Sequence, residues 1–163
     1  MLIYVVALGT RMPQWVEQGF NEYAKRIRGQ CHLRLLSVAP LKRPRNADMT
    51  RLLRDEGNKL LAAVPDGCRL VALDRTGRQY TSEELALRLD YWFAHGQDVA
   101  LLVGGPEGLS LECLERAEEL WSLSALTFAH PVARVVLAEQ LYRAWSIVNR
   151  APYHRSGLRG QSR

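Results

Sequence analysis

Residues 98–110 read DVALLVGGPEGLS, an apolar run that breaks into a Gly-Gly-Pro-Glu-Gly loop. The unbroken stretch from Val99 to Val103 suits a strand covered on both faces, as in a parallel sheet. In such sheets ligands sit at the carboxyl ends of strands, where glycine lets the backbone come close to them. Gly104 at this strand end is therefore either one wall of a binding site or simply a turn. A second loop, WSLSALTFAHP at residues 121–131, follows shortly after.

Outward from this strand the chain alternates strand and helix. Residues 2–8 (LIYVVAL) predict a first strand ended by Gly9-Thr10. Pro13 then opens a helix to about Ile27, with Trp15, Val16, Phe20, Tyr23 and Ala24 at spacings of three and four. Residues 32–38 predict a second strand, followed by a basic, proline-containing loop, LKRPRN at 41–46. Asn46 is the expected cap of a helix reaching Val64. Residues 69–73 predict a third strand, closed by Asp74 and a Thr76-Gly77 turn. Thr81 and Glu84 form a capping-box pattern ahead of a helix to His95-Gly96. After the fourth strand, residues 111–120 predict a short helix, 121–127 a strand or extended loop, and 131–150 a long helix with Leu137, Leu141, Ala144, Trp145 and Val148 on one face. The pattern predicts an α/β fold, a mostly parallel sheet with helices on both faces. Residues 1–150 form a single domain, and residues 151–163 a basic tail that stays mobile unless a partner orders it.

With 163 residues, 47% of them hydrophobic, the chain is sized for one well-buried domain. A net charge of +5 favours a polyanionic partner, most commonly nucleic acid. Cys31, Cys68 and Cys113 are scattered and form no C-x-x-C pair, which suits reduced thiols in a cytoplasmic protein and points away from a disulfide framework or a metal site. No run has the length of a membrane span, and the apolar N-terminus lacks the basic start of a signal peptide.

Several chemistries fail on spacing. GGPEG lacks the Lys-Ser/Thr ending of a P-loop and is not G-x-G-x-x-G, and the chain has no G-x-S-x-G or H-E-x-x-H. A glycine-rich strand end beside a Ser/Thr-bearing loop with apolar neighbours suits an adenosine-type cofactor without a triphosphate. The four histidines are scattered, which argues against a hydrolase triad or a metal site.

The segments VALLVGGPEGLS, WSLSALTFAHPVARVVLAEQLYRAWSI and VVALGTRMPQWVEQGFNEY, with the tail residues Tyr153, His154 and Arg155, resemble the RlmH family of SPOUT methyltransferases. The resemblance runs through Arg155. It implies an α/β knot, in which the C-terminal part forms a deep trefoil knot, a rare exception to unknotted chains. It also implies an S-adenosyl-L-methionine-dependent enzyme that methylates N3 of a pseudouridine in helix 69 of 23S ribosomal RNA, acting as a homodimer on the ribosome or large subunit, without metal. The cofactor residues it implies are Leu73, Gly104, Leu123, Ser124, Ala125, Leu126, Thr127 and Phe128. The reaction needs in-line positioning and removal of the N3 proton, for which His130, Tyr153, His154 and Arg155 are the candidates. Lys42, Arg43 and Arg45 are the expected RNA contacts. The family pattern ends near Arg155, whereas this chain continues to residue 163. A non-catalytic RNA-binding module of the same fold, or a knot methyltransferase acting on tRNA, are the competing readings.

Overall fold

A computed structural model describes residues 1–155. Its centre is a five-stranded sheet in the order β2-β1-β4-β3-β5, with every pairing parallel. The strands are β1 (Leu2–Leu8), β2 (His32–Val38), β3 (Arg69–Arg78), β4 (Val99–Val103) and β5 (Glu119–Trp121). The helices are α1 (Gln14–Ala24), α2 (Met49–Ala63), α3 (Ser82–His95), α4 (Leu111–Arg116) and α5 (His130–Val148).

Strand periodicity divides the core in two. Ile3, Val5, Ala7, Val71, Val99, Leu101 and Val103 point to one face, where α1, α3 and α5 cover them through Phe20, Leu89 and Leu137. Val6, Leu8, Leu70, Ala72, Ala100 and Leu102 point to the other, against Leu60 of α2 and Cys113 of α4. The predicted arrangement of helices on both faces is thus observed. β4, lying between β1 and β3, is buried at every residue, which is why its sequence shows no polar alternation.

The boundaries differ from the sequence reading in several places, among them β5, which pairs at Glu119–Trp121 and not over 121–127. α1 stops at Ala24 because the chain tightens into shorter-range bonds, Arg26 N–H to Tyr23 and Ile27 N–H to Ala24, before Gly29 turns at positive φ. Asp48, not Asn46, caps α2, accepting from the amides of Thr50 and Arg51. β3 runs on to Arg78 through an irregularity at the predicted turn: Leu73 and Arg78 both pair with Trp121, between them Thr76 N–H donates to the Asp74 carboxylate at 3.0 Å, and Ser122 N–H donates to Arg78 C=O at 2.9 Å. A Cβ on Gly77 would lie 2.6 Å from the backbone of Leu120 and Trp121, so this close approach requires glycine. α4 ends at Arg116, since the chain is drawn into pairing with β3 and Glu118 N–H donates to Leu70 C=O at 2.8 Å.

The tail also departs from expectation. After Arg150 turns at φ 54°, residues 151–155 fold back on α5. Tyr153 packs on Tyr142, its hydroxyl donates to Glu139 at 3.0 Å, and His154 Nε2 lies 3.0 Å from Glu83 on α3. Aromatic and acidic side chains on the outer faces of α3 and α5 hold it. Residues 156–163 lie outside the described residues.

Candidate cofactor and RNA site

Strand order assembles the candidate site. β4, β3 and β5 are parallel neighbours, so their carboxyl ends emerge together. Ala72 pairs with Leu102 and Leu73 with Trp121, which brings Leu73, Gly104 and Leu123 to one level of the sheet edge. Leu73 and Leu123 are half-buried against the core and form an apolar wall.

The loop 123–128 is suited to hold an adenine edge. None of its residues takes part in a backbone–backbone hydrogen bond among the described residues. Its shape is fixed by side chains instead, Ser122 Oγ donating to Ser124 C=O and Ser124 Oγ accepting from Leu126 N–H, both at 3.0 Å. Ala125, Leu126 and Thr127 are exposed, so the remaining amides and carbonyls are available to a ligand. Beneath the loop, Trp121 stacks on Trp92 with ring centroids 5.2 Å apart and packs against Tyr80. Trp121 Nε1 donates to Glu119, which also receives Arg88. Burial alone pushes the Glu119 carboxyl up, but Arg88 and Trp121 outweigh it and leave the pKa below the ordinary value.

Gly104 is required by the geometry of its own turn, whatever it contributes to a ligand. A Cβ there would lie 2.5 Å from the backbone of Gly108. Gly105 and Gly108 bridge each other, and Gly108 adopts φ 81°. The GGPEG turn closes on itself, and Gly104 is needed for that closure.

His130 opens α5 directly after the 123–128 loop. Burial lowers its pKa, and the nearby cations Arg134 and Arg43 lower it further, with Glu107 opposing. The ring is therefore neutral at pH 7, as a proton acceptor must be. Arg43 and Glu107 are thus near enough to bias the charge of the ring, which sequence spacing could not show.

Of the expected RNA contacts, Lys42 and Arg45 are exposed. Arg43 is already engaged: its guanidinium reaches Glu56 at 3.2 Å and Glu107 at 2.5 Å. Glu56 is 2% exposed and also accepts from Leu41 N–H at 3.1 Å. Arg43 thus tethers the basic loop to α2 and to the GGPEG turn, and displays Lys42 and Arg45 beside them. Glu56 escaped the sequence reading, although its place between Leu52 and Leu60 on the apolar stripe of α2 was the available signal.

The structure does not bring the tail to His130 within one chain. From His130 to Glu139, where Tyr153 is anchored, α5 advances about 14 Å. Burial and the Glu139 bond push the Tyr153 hydroxyl up to about 12, so it remains a donor and is a poor proton acceptor. Arg155 is exposed. Among the described residues no group of His, Cys, Asp and Glu gathers in a way that could hold a metal ion.

Over residues 1–154 the chain matches the family described as "Predicted SPOUT methyltransferase". The chain belongs to the SPOUT methyltransferase family. Similar proteins include one from Methylococcus capsulatus, 52% identical over 95% of this chain and 100% of its own length. Another is from Thioalkalivibrio sulfidiphilus, 51% identical over 95% of this chain and 99% of its own. A third, from Nitrosococcus oceani, is 50% identical over 96% of this chain and 99% of its own. Each is named "Ribosomal RNA large subunit methyltransferase H". A solved structure concerning 2-OH methylation of C/U34 on tRNA shares the fold, with a TM-score of 0.51 and 20% identity over 89% of this chain and 91% of that one. SPOUT membership agrees with the parallel sheet and its gathered carboxyl ends, and implies the trefoil knot. The residues at that edge fit S-adenosylmethionine: an apolar wall, a loop with unpaired backbone polar groups, and a neutral imidazole next to it.

Proposed function

We propose that this SPOUT protein transfers a methyl group from S-adenosyl-L-methionine to N3 of a pseudouridine in helix 69 of 23S ribosomal RNA. Near full-length identity of about half to three proteins named as large-subunit rRNA methyltransferases carries the proposal. The gathering of Leu73, the GGPEG turn, the 123–128 loop and His130 at one sheet edge supports it.

When bound, S-adenosylmethionine supplies a methyl group already activated on a sulfonium sulfur. The protein holds the adenine edge with backbone groups of the 123–128 loop, against Leu73 and Leu123. His130 accepts the N3 proton as the new N–C bond forms, and the resulting imidazolium is offset by Glu107. Lys42 and Arg45 contact phosphates, with Arg43 holding their loop in place. Tyr153, His154 and Arg155 act on the site of the partner subunit in a homodimer, because within their own chain they are anchored far along α5. Exposed Trp15 on α1 and Val132 on α5, with half-exposed Tyr23, Tyr142 and Trp145, provide an apolar face for that dimer. The substrate is the assembled ribosome or large subunit in the bacterial cytoplasm.

Purified protein, S-adenosylmethionine and ribosomes from a strain lacking the homologous enzyme test this directly. Mass analysis of digested 23S rRNA is expected to show a new N3-methylated pseudouridine. Methylation of a different nucleoside, or of tRNA alone, would refute the proposal.

A further inference from the structure

Arg134 lies on the inner face of α5 and is 1% exposed. Among the described residues it forms no ion pair. One terminal nitrogen donates to the carbonyls of Leu8 at 2.9 Å and Gly9 at 2.8 Å, and the other to Ser37 Oγ at 3.3 Å. Its Nε has no partner among the described residues. A buried guanidinium is normally matched by a carboxylate, because neutral oxygens compensate only part of the lost hydration. Burial accordingly pulls the Arg134 pKa down.

This cation borders a groove of about 640 Å³ that runs from Thr10 and Met12 past α1 and along the free edge of β2 to Ser37. That volume is in the range of small-ligand sites and exceeds the needs of a bare ion. Thr10, Asn21 and Ser37 add neutral donors, and exposed Glu17 is the one carboxylate among the lining residues. The groove opens at the edge that carries the candidate site. Leu8, whose carbonyl Arg134 grips, ends β1 beside β4, and a Cβ on Gly105 would lie 3.1 Å from its side chain. His130 is about one helical turn, roughly 6 Å along α5, from Arg134.

Resting on the reading that the substrate is ribosomal RNA, we propose that this groove is a phosphate subsite, in which Arg134 receives a backbone phosphate of a nucleotide flanking the methylated one. Thr10, Ser37 and Asn21 complete the contacts. The subsite brings one strand of the RNA across the β1 end next to His130, and the buried cation gains the counter-charge it lacks in the chain alone.

Ser37→Asp tests it by placing a carboxylate against Arg134 in the full-length protein. The variant is expected to melt no lower than wild type and to bind S-adenosylmethionine equally well. With unmethylated ribosomes its KM is expected to rise about tenfold, the scale of one charge-assisted hydrogen bond. The log–log salt slope of ribosome binding is expected to shrink by about one unit, one phosphate contact. Should Ser37→Asp fail to fold, Thr10→Asp on the exposed loop is expected to give the same changes. A folded variant with KM and salt slope unchanged overturns the subsite. If wild-type protein methylates no ribosomes, the functional reading fails separately. The subsite is then judged by a short single-stranded oligonucleotide, which is expected to bind wild type about tenfold more tightly than the Asp variant. Equal binding to both, or to neither, overturns it.

Discussion

Gly104→Ala separates two reasons for a glycine at the end of β4. If the residue serves only to admit a ligand, an added methyl would weaken S-adenosylmethionine binding and leave the free protein unchanged. The geometry argues otherwise, since the new Cβ would sit 2.5 Å from the carbonyl carbon and oxygen of Gly108, about 1 Å inside ordinary contact. The obstacle is backbone held by the Gly105–Gly108 bridge and cannot rotate away. Overpacking of this kind costs about 1–3 kcal/mol, while restricting the unfolded chain returns about 0.4–1 kcal/mol. The net loss is about 1–2 kcal/mol, which for a domain of this size lowers Tm by roughly 2–8 °C. Scanning calorimetry of the ligand-free protein measures it. A Tm within about 1 °C of wild type, small beside that shift, together with weakened cofactor binding in titration calorimetry, would refute the reasoning and restore a purely ligand-facing role.

His130→Asn is expected to lower kcat about 100-fold, within the range for a positioned acid–base group, with little change in cofactor affinity. Because burial, Arg134 and Arg43 lower the His130 pKa, the neutral acceptor form should persist below pH 6.5, and wild-type kcat/KM should fall only as pH drops through that lowered value. A rate insensitive to both changes would remove His130 from the chemistry. Glu56→Ala leaves the Leu41 amide without its acceptor and Arg43 with Glu107 alone, for a loss of about 1–3 kcal/mol; denaturant unfolding reads the stability, and faster hydrogen exchange in residues 41–46 reads the freed loop. A chain ending at Asn149 should still bind S-adenosylmethionine yet lose methyl transfer, and full transfer by that chain would exclude the tail from the site. Charge reversal of Lys42 and Arg45 should weaken ribosome binding and flatten its salt dependence by about two units, one per lost phosphate contact.

Two polar residues on apolar stripes mark what was visible in the sequence and passed over. Glu56 falls between Leu52 and Leu60 on α2, and Arg134 precedes Leu137 and Leu141 on α5. A charge at such a position is either buried with a partner or facing a ligand, and periodicity alone does not say which. Glu56 proved to be the anchor of the basic loop, a role that depends on Leu41 and Arg43 arriving from outside the helix. Arg45 and Lys42 look no different from Arg43 in sequence, because what separates them is the carboxylate pair that only folding supplies.

By itself, the sequence determined the local elements and the fold class. Both follow from short-range chemistry: uninterrupted apolar runs for doubly covered strands, three- and four-residue spacing for helices, a capping box at Thr81 and Glu84. Its motifs also carried the family resemblance and the candidate cofactor residues. The tertiary structure alone decided the strand order that sets β4, β3 and β5 side by side, the extension of β3 past Gly77, and the return of the tail onto α5. Those outcomes depend on which distant segments pair and bury one another, and pairing between segments leaves no periodic trace in either one alone. Gly104 shows the difference in one residue: sequence identifies a glycine at a strand end, and only the folded turn shows that Gly108 occupies the space a side chain would need.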